Sequence, residues 1–429
     1  MIKKITFILL CSILLMTACG KGNNNDESEF KDLSGIWTGH IEIPNQALTI
    51  QVNFNNEGKL SGDISIPIQG LQNYPLNTVN EKENGELVFM AEIQGQRLTF
   101  NGERKDSGIE GTFSQSGQQF PFNLRKGEST VSEEEADKFF EIETKEGSLY
   151  GELEIPEDNG PFPVVLIIPG SGPTDRNGNT VAGENNSLKM IAEELAENGI
   201  ASVRYDKRGA GKNQLVVVPE QDMRFEIFID DAVKWLEALK QDNRFTNIGI
   251  IGHSQGSLVG LLAAEQTDVD AFVSMSGAGR SIDEVLLEQI QGQSEELMDE
   301  ARSILGELED GNTVTDISME LQSIFRPSVQ PFITSWMKYN PTDALAQVDT
   351  PVLIINGEND IQVPVKDAEL LHEAKPDATL LVLENMNHVL KDAPKDQESN
   401  MATYSNPDLP LSEGLMNGIN EFLEIHLSN

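Results

Sequence analysis

Cysteine is nearly absent from this chain of 429 residues, which contains only Cys11 and Cys19. Two cysteines near one end cannot form the disulfide framework on which small exported domains depend. Basic residues are also scarce: 31 lysines and arginines stand against 70 acidic residues, which gives a formal net charge of −39. This charge argues against nucleic acid or an anionic membrane surface as an electrostatic partner. It is typical of a highly soluble protein, or of an environment of high salt or high pH.

The most apolar run of the chain, residues 5–16, is too short to span a bilayer. It follows Lys3 and Lys4 and precedes the small residues Thr17 and Ala18, which is the pattern of a signal peptide for export. We therefore predict that residues 1–18 are removed and that the remainder of the chain lies outside the cytoplasm.

The end of this segment, Leu15-Met16-Thr17-Ala18-Cys19, resembles a bacterial lipobox, with Met16 in place of the usual leucine. In lipoproteins with this motif the cysteine becomes the first mature residue and carries a diacylglycerol, and two acyl chains are what stable membrane anchoring needs. The resemblance implies lipid attachment at Cys19 and an anchor in the cell membrane; plain secretion with cleavage near Ala18 is the alternative. The polar residues 19–32 can bury little surface, which predicts a flexible tether.

Apolar and polar residues alternate from residue 33 to 127, as at Leu48, Ile50 and Val52. This period of two predicts about eight short antiparallel strands in a meander barrel or sandwich. The opening Gly35-Ile36-Trp37 is similar to the G-x-W of lipocalin-type barrels. Such a barrel could hold a small apolar ligand, but an accessory domain with a filled core is the favoured interpretation.

A second pattern begins after an acidic linker at residues 128–138. Between 139 and 429, continuous apolar runs alternate with amphipathic helices, which predicts an α/β domain whose mostly parallel sheet is covered on both faces. A mostly helical, acidic stretch at about 278–345 interrupts this alternation. An insertion there would lie above the carboxyl edge of the sheet as a cap over a site, although a solvated helical hairpin would have the same sequence appearance.

Gly252-His253-Ser254-Gln255-Gly256 follows one of the apolar runs and precedes a predicted helix. Strand, G-x-S-x-G and helix are the context of a nucleophile elbow. Small residues must flank the serine because bulkier side chains would collide across so sharp a turn. The motif therefore predicts that Ser254 is exposed as a nucleophile at the carboxyl edge of the sheet.

A serine hydroxyl is a poor nucleophile unless a base lies within hydrogen-bond reach and a carboxylate orients that base. His388 lies in a loop after an apolar strand, where a hydrolase base belongs, whereas the side chain of His253 cannot turn back to its neighbour Ser254. Asp360 ends the loop after the preceding strand, and its G-x-x-D-x-x-V-P spacing favours it over the rival Glu358. The predicted triad is thus Ser254, Asp360 and His388, in the chain order of α/β hydrolases.

A glycine-rich segment, Pro169-Gly170-Ser171-Gly172, follows the first apolar strand of the α/β domain. Its backbone can approach a developing oxyanion closely, so we predict an oxyanion hole formed by the N–H of Gln255 and that of Ser171, with Gly172 as the second choice for the latter. An ordinary turn is the alternative. No His, Asp or Glu cluster has the spacing of a metal site, and the chemistry requires no metal or cofactor.

These segments, together with Tyr205-Asp206-Lys207-Arg208-Gly209, resemble the α/β-hydrolase superfamily. The resemblance covers residues 139–429 and is to the carboxylesterase branch related to dienelactone hydrolases and acyl-CoA thioester hydrolases. It implies a serine esterase that acts on small or medium acyl esters. A peptidase of the prolyl-oligopeptidase type, a thioesterase and a ligand-binding lipoprotein are the alternatives, and the oligomeric state is left open.

Overall fold

The computed structural model describes most of the chain after residue 32. The predicted signal peptide, Cys19, the tether and almost all of the predicted linker lie outside the described residues, so lipid attachment stays a prediction. The described residues are 33–43, 46–56, 60–66, 71–82, 84–93, 96–105, 108–115, 117–126, 138–157, 159–180, 183–214, 216–290 and 294–427.

The N-terminal unit is one antiparallel sheet of nine strands, where the sequence predicts about eight. The strands are β1 (Gly35–Ile43), β2 (Gln46–Asn55), β3 (Ser61–Ile66), β4 (Leu71–Pro75), β5 (Thr78–Glu81), β6 (Glu86–Ile93), β7 (Gln96–Lys105), β8 (Gly108–Gln115) and β9 (Gln118–Lys126). Their order is β4-β3-β2-β1-β9-β8-β7-β6-β5. The edge strands β4 and β5 are consecutive in the chain, so the sheet curls toward itself as a half-barrel.

Phenylalanine rings fill the interior of this half-barrel. Phe89 stacks on Phe100 with ring centroids 4.5 Å apart, and Phe122 meets both rings edge-on. All three rings are fully or almost fully buried. An interior occupied by packed rings favours an accessory domain with a filled core over a ligand-binding barrel.

The second unit is built on a mostly parallel sheet of eight strands in the order β10-β11-β13-β12-β14-β15-β16-β17. The strands are β10 (Phe139–Thr144), β11 (Gly147–Glu154), β12 (Phe162–Ile168), β13 (Ala201–Tyr205), β14 (Phe245–His253), β15 (Ala271–Met275), β16 (Val352–Gly357) and β17 (Thr379–Leu383). The first two strands pair antiparallel, and β11 pairs antiparallel with β13. All other pairs are parallel. The predicted fold class is therefore confirmed.

Helices cover both faces of this sheet. They are α1 (Ser187–Glu197), α2 (Phe225–Gln241), α3 (Gln255–Ala264), α4 (Ile282–Gln289), α5 (Glu295–Glu309), α6 (Gln322–Phe325), α7 (Gln330–Trp336), α8 (Pro341–Leu345), α9 (Val365–Ala374), α10 (Gln397–Ala402) and α11 (Leu415–Leu427). Helices α2 and α3 share one buried cluster with the sheet, and α1 and α11 share the other. Continuous apolar strands such as β12 are the consequence, because neither face meets water.

Helices α4 to α8 are inserted between β15 and β16. Part of this insertion has a core of its own around Phe325 and Leu308, which are fully buried. Trp336 of α7 instead stacks on Phe225 of α2 with ring centroids 5.1 Å apart. The insertion is thereby fixed to the body of the second unit by an aromatic contact. Within the part of the chain that the structure describes, no helix has both the length and the apolar character to cross a bilayer.

Candidate active site

Ser254 lies on the turn between β14 and α3 with φ 54° and ψ −122°, a conformation that non-glycine residues rarely adopt. The flanking glycines are required by close backbone contacts. A Cβ at Gly252 would lie 2.4 Å from the carbonyl oxygen of Gly256, and one at Gly256 would lie 2.3 Å from that of Ile168. The predicted need for small residues on both sides of the serine is confirmed.

The three residues predicted as a triad are joined by hydrogen bonds. The His388 Nε2 lies 3.1 Å from Ser254 Oγ, and His388 Nδ1 lies 2.9 Å from Asp360 Oδ2. The residues meet because β14, β16 and β17 are parallel, so the loops at their carboxyl ends share one edge of the sheet. A base between a hydroxyl and a carboxylate is the arrangement that activates a serine.

Asp360 is held in place by its own loop. Its Oδ1 accepts the backbone N–H groups of Gln362 at 2.8 Å and Val363 at 2.9 Å. Burial alone would raise the pKa of Asp360, but the adjacent His388 and these two N–H donors outweigh burial and lower it. The rival Glu358 is exposed and lies 3.8 Å from Lys395, so its carboxylate takes no part in the cluster.

The glycine-rich segment lies against the elbow. A Cβ at Gly170 would be 3.3 Å from the Cβ of Ser254, so the backbone passes directly over the serine. Gly172 has φ +76°, in the left-handed region that favours glycine. Among the described residues, the N–H of Ser171 has no backbone or side-chain acceptor, and Gln255 N–H belongs to the first turn of α3, where helix donors are free. Both predicted donors are available to a substrate oxygen.

The side chain of His253 contacts His388 and not Ser254, and sequence reasoning missed this contact. Its Nε2–H donates to the backbone carbonyl of His388 at 2.8 Å, and the two rings lie 5.0 Å apart. Burial and the nearby His388 lower the pKa of His253 to about 4, so its ring is neutral at ordinary pH. The sequence could show only that the side chain cannot reach Ser254; its partner lies 135 residues away.

This histidine predicts a loss of stability on mild acidification. Since the pKa of His253 falls from 6.5 to about 4 on folding, the unfolded chain binds more protons here between those pH values. The stabilising contribution is complete above pH 6.5 and is lost as the pH falls toward 4. We expect about 2 kcal/mol of this loss between pH 7 and pH 5. Thermal unfolding at both pH values should show a smaller loss for His253→Gln than for the wild type, and equal losses would contradict the assignment.

A cavity of about 640 Å³ opens beside Ser171, Gly172 and Gln255. Its walls are largely apolar and come from the loop before α2, from α2 and from the inserted helices: Val218, Met223, Phe228, Val329, Phe332 and Trp336. Glu220 of the loop binds Arg326 and Ser328 of the insertion, with Arg326 Nε 3.0 Å from Glu220 Oε2. The cavity therefore extends from the predicted oxyanion residues Ser171 and Gln255 to a wall that the insertion provides. Within the described residues, no group of three or more His, Cys, Asp or Glu side chains could hold a metal ion.

Known proteins resemble this chain in sequence and fold. Residues 182–310 match the family described as serine aminopeptidase, S33. Esterase EstD of Thermotoga maritima is 24% identical over 334 residues, which cover 73% of this chain and 76% of EstD. Est1E from Butyrivibrio proteoclasticus, solved with ferulic acid bound, is 18% identical, covers 68% of this chain and 100% of its own, and has a TM-score of 0.46. The α/β hydrolase GrgF from Penicillium sp. sh18 is 21% identical, covers 68% of this chain and 99% of its own, and has a TM-score of 0.45.

The similarity in sequence to EstD extends over most of both chains, and residues 182–310 of the family match include the elbow. The order of the eight strands, with the first two pairs antiparallel and the turn at Ser254 directly after β14, is that of the α/β-hydrolase fold. The similarity in sequence to EstD supports an esterase-type hydrolase with this fold.

Proposed function

We propose that the protein hydrolyses carboxylic esters through an acyl-enzyme formed on Ser254. One observation carries the proposal: a continuous hydrogen-bonded path from Ser254 Oγ through His388 to Asp360. Beside this path lie the backbone N–H groups of Ser171 and Gln255, which make no hydrogen bond within the described part of the chain. A nucleophile, an oriented base and an oxyanion site are the parts that acyl transfer requires.

Each group has one task in the two-step reaction. His388 Nε2 takes the proton of Ser254 as Oγ attacks the ester carbonyl, and Asp360 stabilises the imidazolium that results. The N–H groups of Gln255 and Ser171 bind the oxyanion of the tetrahedral intermediate. His388 then protonates the departing alcohol. Water, activated by the same histidine, releases the acid and restores Ser254.

The apolar cavity indicates the substrate class. Its volume of about 640 Å³ is that of a site for a small molecule rather than for a polymer chain. Val329, Phe332 and Trp336 offer apolar contact area and no ionic partner. We therefore propose an uncharged ester with a medium-length aliphatic or an aromatic group as the substrate.

An aminopeptidase is the second candidate, because of the family that residues 182–310 match. Such an enzyme needs a carboxylate to receive the ammonium group of its substrate. The two carboxylates at the cavity are Asp175 and Glu220, and both have partners: Asp175 accepts the N–H groups of Asn177 and Asn179, and Glu220 binds Arg326. With both acidic groups engaged, an ester is the better substrate for this site.

A panel of substrates tests the proposal. The mature protein should hydrolyse p-nitrophenyl esters, with a preference that varies with acyl length, and should leave aminoacyl anilides unchanged. Faster turnover of the anilides would favour the peptidase. No ester turnover, or turnover equal in the Ser254→Ala variant, would overturn the ester-hydrolase proposal.

Filling the cavity should change chain-length preference. Val329 is a partly buried wall residue, and Val329→Trp would occupy the space of several methylene groups. Each buried methylene contributes about 0.8 kcal/mol, so we expect kcat/KM for a decanoate ester to fall about 10- to 100-fold. The acetate ester should change little. Val382→Trp, at a half-exposed position of β17, is the matched control; an equal fall for both esters in Val329→Trp would contradict this role of the cavity.

A further inference from the structure

Lys207 carries a buried ammonium group beside the elbow, and no step of the reaction above uses it. The residue follows β13 and is only 5% exposed. Its Nζ donates to the carbonyl oxygen of Gly170 at 2.9 Å and to Gln255 Oε1 at 2.6 Å. The same nitrogen lies 4.2 Å from the ring centroid of Phe228. These partners belong to the glycine-rich segment, to the elbow and to the wall of the cavity, respectively.

The charge of Lys207 has no carboxylate of its own. Within the described residues, no Asp or Glu oxygen lies within ion-pair distance of its Nζ. The acidic group that acts on its charge is Asp231, whose two oxygens accept hydrogen bonds from Arg208 at 2.6 and 2.8 Å. Burial lowers the pKa of Lys207 to about 7 despite the opposing effect of Asp231. An ammonium group buried without a counter-ion is unfavourable for folding, so packing alone does not account for a lysine here.

Both atoms that Lys207 binds are linked to the predicted oxyanion donors: one belongs to Gln255, and the other is the carbonyl oxygen of Gly170, which precedes Ser171. The Gly170 carbonyl is one end of the peptide group whose other end is the N–H of Ser171. A cation on the oxygen of an amide polarises that amide and makes its N–H a stronger donor. Gln255 supplies the second N–H, and its side chain is fixed by the same ammonium group. Lys207 thus links the two donors that sequence and geometry assign to the oxyanion.

We propose that Lys207 is a positioning residue of the oxyanion hole, which aligns the Ser171 and Gln255 N–H groups and strengthens the former through the Gly170 carbonyl. The inference rests on the proposed ester hydrolysis and extends it. Since the oxyanion exists only in the transition state and the intermediate, Lys207 should affect kcat and leave KM nearly unchanged. Removal of a direct oxyanion donor costs about 100- to 1000-fold in kcat, so an indirect effect of about 10- to 100-fold is expected.

Lys207→Met tests the inference because methionine keeps most of the length and the unbranched shape of the side chain and removes its charge. We expect kcat for p-nitrophenyl butyrate to fall about 10- to 100-fold with KM within about threefold. Binding of an alkyl trifluoromethyl ketone, which forms a tetrahedral oxyanion on serine, should weaken by the same factor. Binding of the corresponding secondary alcohol, which cannot form the adduct, should not change. Lys375→Met is the control: it removes another buried lysine, which donates to the carbonyl of Val348 away from the elbow.

The outcomes separate the two proposals. An active wild type with an equally active Lys207→Met, or a variant in which kcat falls while the affinity for the ketone is retained, would overturn the role of Lys207 alone. A wild type that does not hydrolyse esters would overturn the ester-hydrolase proposal and this one together. If Lys207→Met does not fold, the same measurements on Lys207→Gln decide, since glutamine keeps a donor without the charge and is expected to show the same parallel losses.

Discussion

Replacing Ser254 with alanine is expected to lower kcat/KM for ester hydrolysis by about 10⁵- to 10⁶-fold, the loss seen when a serine hydrolase is deprived of its nucleophile. The Oγ atom is the one that His388 Nε2 approaches at 3.1 Å, and the variant has no other hydroxyl in that place. Residual turnover would come from water that is activated by His388 beneath the oxyanion hole. Assays with p-nitrophenyl butyrate at high enzyme concentration measure this residual turnover.

A serine one turn further along provides the control. Ser257 is buried in α3, and its Oγ lies 2.7 Å from Ser274 Oγ, away from His388. Ser257→Ala should therefore retain kcat within a few-fold. A fluorophosphonate should add its mass to the wild type and to Ser257→Ala, and not to Ser254→Ala. A Ser254→Ala variant with more than a few per cent of wild-type activity would exclude Ser254 as the nucleophile.

The sequence is sufficient to predict the elbow because the constraints on it are local. The turn at Ser254 needs small residues two positions before and after, and the clash distances at Gly252 and Gly256 show why. That Ser254, Asp360 and His388 lie together is predictable for a more general reason. In a parallel sheet the carboxyl ends of strands share one edge, so polar residues in loops after β14, β16 and β17 meet there.

The contacts of His253 and Lys207 are not predictable in this way. His253 binds a carbonyl 135 residues distant, and Lys207 binds Gly170 and Gln255, which are 37 and 48 residues away. No spacing or periodicity marks such pairs, because they depend on how three loops are placed over one sheet edge. Tyr205-Asp206-Lys207-Arg208-Gly209 is visible as a motif, but only the packing of Lys207 against the elbow suggests a role for its ammonium group.

The number of strands in the N-terminal unit is uncertain from sequence for a related reason. β4 and β5 are short and are separated by only two residues, so alternation does not resolve them as two strands. What separates them is pairing: β4 pairs with β3, and β5 pairs with β6 on the opposite edge of the sheet. Pairing partners distant in the chain, rather than local propensity, decide where one strand ends and the next begins.

Asp360→Asn should lower kcat by about 10⁴-fold without loss of the loop structure. Asp360 Oδ1 accepts N–H groups from Gln362 and Val363, so the amide oxygen of asparagine must take that position. The NH₂ group is then forced to face His388 Nδ1, where Asp360 Oδ2 lies at 2.9 Å in the native protein. A donor there requires Nδ1 to accept, which places the ring proton on Nε2. Nε2 would then face Ser254 as a donor and could not take the serine proton.

Glu358→Gln distinguishes this mechanism from a general loss of negative charge in the loop. Glu358 lies two residues before Asp360 and is exposed, with its carboxylate 3.8 Å from Lys395. The substitution Glu358→Gln removes the same charge without altering the tautomer of His388. We therefore expect kcat to stay within about twofold, as for most surface substitutions. Equal losses in the two variants would show that the field of the loop, and not the orientation of His388, is what Asp360 supplies. A large loss confined to Asp360→Asn, with an unchanged melting temperature, would assign that loss to the proton on Nε2.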